Sequence, residues 1–142
     1  MSTAASTRAA AGFSAAFAAA LLAGCAALPP PAADLAGTNW RVVAINGAPV
    51  PAAGGYSMHF DTSGGVGARF GCNHMGGRYR LTGSTLTISN MATTLMGCPE
   101  PQGTHEQQAS AILAQPMQVS FTSSERMGLS NAAGSIALDP LP

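Results

Sequence analysis

The chain contains no lysine, and six arginines are its whole cationic complement, matched by six acids. Only Arg78 and Arg80 stand close together. A polyanion is bound by clustered cations that displace counterions, so the composition argues against nucleic acid as a partner. Two like charges at period two mark the wet side of a strand. Charged residues are 8% of the chain and aromatics 6%, which predicts one core of modest size. No apolar run reaches the roughly 20 residues of a spanning helix. No serine stands in a nucleophile elbow, no glycine-rich loop opens a helix, and no acid pair is placed for glycoside chemistry. These absences argue against an enzyme, and no cofactor is expected.

What is present begins with a leader. Met1 to Arg8 is polar with one positive charge, and Ala9 to Leu22 is apolar except for Gly12 and Ser14. These are the n- and h-regions of an export signal, too short to anchor permanently. Leu22-Ala23-Gly24-Cys25 resembles the lipobox of bacterial lipoproteins, which implies cleavage after residue 24 and acylation of Cys25. A single acyl chain holds a membrane only reversibly, so a stable tether needs more than one. By the enterobacterial sorting rule, Ala26 after the cysteine implies the outer membrane. Ala26 to Asp34 contains Pro29-Pro30-Pro31 and reads as an extended spacer, reaching roughly 25 to 30 Å at about 3.1 Å per residue.

Residues 35–142 read as one domain, mostly β. Trp40, Val42 and Ala44 share a face of a strand over Asn39 to Ile45, and Asn46-Gly47 is a tight-turn pair. Tyr56, Met58 and Phe60 alternate with wet Ser57, His59 and Asp61, and Gly64-Gly65 reverses the chain. Val66 to Asn73 and Arg78 to Leu81 are further strands, with Gly71, Gly76 and Gly77 marking bulges or close backbone passages. Gly83-Ser84 turns into Thr85 to Ile88, whose Leu86 and Ile88 point inward. Met117 to Phe121, Met127 to Ser130 and Ser135 to Leu138 repeat the pattern. One helix is predicted before Pro116, started by a Thr104–Gln107 capping box and burying Ala109, Ile112 and Leu113.

Three ordered segments carry a family resemblance. They are Leu35-Ala36-Gly37-Thr38-Asn39-Trp40, then Gly71-Cys72-Asn73-His74-Met75-Gly76-Gly77-Arg78-Tyr79, then Ala92-Thr93-Thr94-Leu95-Met96-Gly97-Cys98-Pro99. Together they resemble the META domain of HslJ-like bacterial lipoproteins. Trp40, Gly71, Cys72, Asn73, Gly77, Tyr79, Thr94, Met96 and Cys98 hold the motif positions. The resemblance implies an antiparallel, partly open β-barrel packed on one helix, in envelope proteins tied to heat shock and novobiocin tolerance and with no established catalysis. The fold is also similar to lipoprotein pilots that escort secretin subunits, an analogy for binding. The chain departs from the family after Glu106, where Gln107-Gln108-Ala109 replaces bulkier residues, and at Leu95, which is often basic.

With Cys25 acylated, two cysteines remain in an oxidising compartment, and the simplest expectation is a Cys72–Cys98 disulfide. The alternatives are two buried thiols without a bond, or a zinc site from Cys72, His74, Cys98 and His105. The spacing does not favour zinc, which brings cysteines in close pairs. A Cys72–His74 dyad fails because strand neighbours project in parallel. The leading expectation is a non-catalytic, membrane-tethered lipoprotein, periplasm-facing at the outer membrane, that binds an envelope protein or supports envelope stress and drug tolerance. The alternative is an apolar small molecule held in the barrel by Met58, Phe60, Met75, Met91 and Met96.

Overall fold

The computed structural model describes residues 34–122 and 125–142. The leader, Cys25 and most of the proline spacer lie outside the described residues. Nine strands and one helix follow in the order β1 (Thr38–Ile45), β2 (Ala48–Pro49), β3 (Tyr56–Phe60), β4 (Gly65–Phe70), β5 (His74–Thr82), β6 (Thr85–Thr93), α1 (Gln102–Leu113), β7 (Met117–Phe121), β8 (Met127–Asn131) and β9 (Gly134–Leu141). The strands form one antiparallel sheet in the order β2-β1-β3-β4-β5-β6-β7-β8-β9, and β1 also pairs β9 from Asn39↔Leu141 to Ile45↔Ile136. The barrel is therefore closed, with β2 as a short hairpin partner of β1. The openness expected from the sequence survives only as a narrow seam, because β6 and β7 share just Thr85↔Gln118 and Leu86↔Met117. No helix among the described residues is long and apolar enough to cross a membrane.

Period-two alternation fills this barrel. Tyr56, Met58 and Phe60 are buried while Ser57 and His59 are less so, and Leu86 and Ile88 point inward as expected. The first strand departs from its expected phase. A bulge between Val42 and Ala44 shifts the register against β9, so Ile45 is buried and Ala44 only half-buried. An extra residue on one strand flips every side chain beyond it. Asn46 and Gly47, at φ 51° and 78°, make the tight turn to β2; such turns need a left-handed backbone at both central residues.

The opening motif is a hydrogen-bonded relay. The Trp40 indole donates to Thr38 Oγ1 at 2.8 Å, and that hydroxyl donates to the Leu35 carbonyl at 2.6 Å. Leu35 is itself core, and Gly37 N–H bonds the Phe60 carbonyl at 2.8 Å, fixing the entry of the chain beside β3. Tyr79 stacks edge-on to Phe60, centroids 4.9 Å apart, and donates to the Asp61 carbonyl. In the β3–β4 turn, the Gly65 N–H and the Ser63 hydroxyl bond the Asp61 carboxyl and hold it below the ordinary carboxylate range.

The helix begins earlier than the sequence suggests. It starts at Gln102, and the residue at its N-cap, Pro101, makes no side-chain cap bond. Thr104 is not the cap, because Gly103 and His105 already donate to the Pro99 and Pro101 carbonyls. Its hydroxyl and N–H turn instead to Glu100 Oε2, at 2.7 and 3.3 Å. The expected stripe of Ala109, Ile112 and Leu113 is buried, and Glu106 lies on the same face. That face packs chiefly on β4, β9 and β1. Phe60→Ala leaves a cavity in a close-packed core, and the expected cost is about 3 to 5 kcal/mol. Urea unfolding followed by Trp40 fluorescence would measure it.

Candidate functional site

Gly71, Cys72 and Asn73 form the bend between β4 and β5, which ends the expected Val66 to Asn73 strand at Phe70 and lets β5 begin at His74. Gly71 is small because α1 passes over it. A Cβ there would stand 2.8 Å from Gln102 Cβ and 3.0 Å from the Gln102 carbonyl. Gly77 answers to a different neighbour, the Ser89 carbonyl 2.8 Å from its would-be Cβ, where a register shift bulges β6 against β5. Both glycines thus mark close passages of another backbone, as the sequence implied.

Asn73 is buried at 5% exposure, and every polar atom of its side chain is engaged. Its Oδ1 accepts from Met96 N–H at 2.7 Å and from the Thr94 hydroxyl at 2.8 Å. Its Nδ2 donates to the Met96 carbonyl at 2.9 Å and to Glu106 Oε2 at 2.8 Å. The Asn73 backbone N–H donates to Glu106 Oε1 at 2.5 Å. Thr94 closes the ladder by accepting His74 N–H and donating its own N–H to the His74 carbonyl, both at 3.0 Å. One carboxamide therefore holds both backbone groups of Met96, a residue 23 positions away.

Cys72 and Cys98 are joined by a disulfide with Cα atoms 5.8 Å apart. It fastens the same segment, 94–98, a second time. Closing 26 residues of chain stabilises the fold by about 3 kcal/mol on the loop-entropy argument. What this double fastening presents is apolar: Leu95 is 94% exposed and Met96 55%. Beside them lies an open groove of about 400 Å³ between the segment and α1, lined by Asn73, Met75, Thr93, Met96, Glu106 and Gln107.

The zinc set is not brought together. The sulfurs are spent on each other, His74 is exposed on β5, and His105 Nδ1 lies 2.8 Å from the Tyr56 hydroxyl. Burial, and then the charge of Glu106, push that phenol upward. Among the described residues, the group with metal-ligand proximity is instead Cys72, Cys98 and Glu106, whose ligand atoms all fall within 4.8 Å of one another. In the disulfide form the sulfurs have no free valence for an ion.

Nor do the five apolar residues proposed for a ligand share a cavity. Met58 and Phe60 are packed inside the barrel at 1% exposure, while Met91 and Met96 lie outside it. Period-two geometry sends the first pair inward, whereas the far end of β6 runs past β7 and is wet on both faces. A second groove, of about 530 Å³, lies elsewhere, between Trp40, Phe121, Pro140 and Leu141.

A model of the META domain matches residues 33–138, which spans all three motif segments. The chain belongs to the META domain family. Among the residues that mark this META domain, Cys72, Asn73, Thr94, Met96 and Cys98 tie its barrel to its exposed loop. An NMR structure is similar at 23% identity and a TM-score of 0.65, covering 74% of this chain and 90% of the other. Another, of a protein from Burkholderia xenovorans, is 22% identical with a TM-score of 0.62, covering 75% and 83%. At these identities the likeness shows the fold. None of the curated proteins matches.

Glu106, which the sequence reading placed in the helix but gave no role, is a central member of this network. Its signal was an acid standing in phase with Ala109 and Leu113 on the apolar stripe of α1. Replacing Asn73 with alanine strands the Met96 backbone and the Glu106 carboxyl, and the expected loss is about 3 kcal/mol. Cys98→Ser is expected to cost a similar amount. Urea midpoints of the two variants, compared with the double variant, would show sub-additive losses if both fasten the same loop.

Proposed function

We propose that this META domain protein is a non-catalytic envelope lipoprotein that binds a protein partner through the loop carrying Leu95 and Met96. The supporting observation is a large apolar side chain 94% exposed on a segment whose backbone is fastened on either side, by Asn73 at Met96 and by the disulfide at Cys98. A loop ordered in advance gives up less entropy when it binds, and an apolar anchor entering a partner's pocket is the usual energetic centre of an interface. The lipobox-like leader, acylated Cys25 and proline spacer would hold this loop within reach of proteins at the periplasmic face of the outer membrane.

Photo-crosslinking from position 96 in intact membranes tests the reading. One protein species is expected from the wild type, and Leu95→Asp should abolish its capture without moving the urea midpoint, since that side chain supports no packing. Equal capture by the variant, or no capture under normal and heat-stressed growth, would overturn the proposal.

A second reading, an apolar small molecule, is favoured by the groove between Trp40, Phe121, Pro140 and Leu141. Mass spectrometry of the membrane-extracted protein addresses anchor and ligand together. The expected amino terminus is an acylated Cys25, and the native spectrum should carry no further mass. A retained leader would remove the tether, and a bound apolar molecule would favour the second reading.

A further inference from the structure

We infer that the disulfide conceals a metal site: in its dithiol form the protein binds one divalent ion of the zinc class through Cys72, Cys98 and Glu106. This goes beyond partner binding and does not depend on it.

The inference starts from Glu106. The residue is buried at 9% exposure, and among the described residues no cation pairs with its carboxyl. Buried carboxyl groups are normally matched by a cation or metal, because removing them from water is costly. Here Asn73 supplies hydrogen bonds to both oxygens, and the remaining neighbour of Oε2 is Cys98 Sγ at 3.1 Å. A disulfide sulfur has no proton to donate, so this contact leaves the oxygen's lone pair unused. A thiolate and a carboxylate on opposite sides of a cation would use it.

The donor set suits zinc. Two sulfurs and one oxygen are the borderline-soft ligands it takes, at about 2.3 Å and 2.0 to 2.2 Å, which places ligand atoms roughly 3.5 to 3.8 Å apart in a tetrahedron. The three atoms already lie within 4.8 Å of one another. Cys98 belongs to no strand or helix, so its sulfur can withdraw to that separation without breaking a ladder. Cys72 and Cys98 are only half-buried and Glu106 lines the groove beside Met96, so solvent water is available for a fourth position. Asn73 acts as the outer-shell partner that orients the carboxylate.

Forming the site is a balanced exchange. Two molecules of a small thiol give two electrons and two protons to the Cys72–Cys98 bond and leave as their own disulfide. Each cysteine thiol then loses its proton to solvent as the ion binds, so binding strengthens as pH rises.

The test uses the full chain carrying Cys25→Ser, reduced by a phosphine without oxygen and titrated with Co2+ and then Zn2+. Expected are one ion per chain, sulfur-to-cobalt charge-transfer absorption, tetrahedral visible bands displaced by zinc, and Trp40 emission that stays native. Oxidised protein should bind none. Glu106→Gln should weaken binding by about tenfold or more, the loss that even an outer-shell partner produces. Should that variant not fold, X-ray absorption of the zinc-loaded parent decides, with two sulfurs and at least one oxygen around the ion. Unfolding on reduction, undiminished binding by folded Glu106→Gln, binding by the oxidised form, or a shell of four sulfurs would each overturn the inference.

Discussion

The structure outside the barrel rests on one buried carboxamide. Asn73 supplies two acceptor contacts and two donor contacts where the backbone of a distant loop and a buried carboxyl would otherwise go without partners. An unsatisfied polar group in such a place costs more than a good hydrogen bond returns. The segment at 94–98, the bend at 71–73 and the inner face of α1 are consequently interdependent. Glu106 needs Asn73, Asn73 needs Met96, and Met96 is held at its height above the barrel by Asn73.

The barrel makes that arrangement possible. Pairing of β1 with β9 closes the sheet and leaves the narrow β6–β7 seam as its weakest junction. Beyond the seam, β6 continues to Thr93 with β5 as its partner, carrying the chain away from the core before it turns to α1. The long connection after β6 is therefore born outside the barrel, where no layer of side chains would fix it. Asn73 and the disulfide perform that task. The exposed Arg41–Asp139 and Arg126–Asp139 pairs tie neighbouring strands, but in water such pairs contribute little.

Much of the fold was legible from period-two alternation and turn chemistry. Tyr56, Met58 and Phe60 announce their strand, and Asn46-Gly47 announces its turn, because each depends only on residues adjacent in sequence. Ile45 was misplaced because the bulge that buries it is decided by β9, far along the chain. The helix start was misplaced because the first turn is made by backbone bonds and by Glu100, not by a side chain of the capping type. At the loop, the motif residues could be named as a family pattern. Their common purpose could not, since Asn73 meets Glu106 across 33 positions with no periodic signal linking them.

Two fastenings for one short loop raise the question of why either is not enough. Hydrogen bonds from Asn73 fix the direction of the Met96 peptide but can open together in a local fluctuation, because all of them belong to one side chain. The disulfide cannot open that way, yet it leaves rotation about its own bonds, so alone it would limit the loop's excursion without setting which face Leu95 presents. Together they fix both reach and orientation. A loop that served only to connect β6 to α1 would gain little from such definition, because connections tolerate motion at small thermodynamic cost. Definition of this kind repays itself where an exposed apolar side chain must meet a complementary surface without first being ordered.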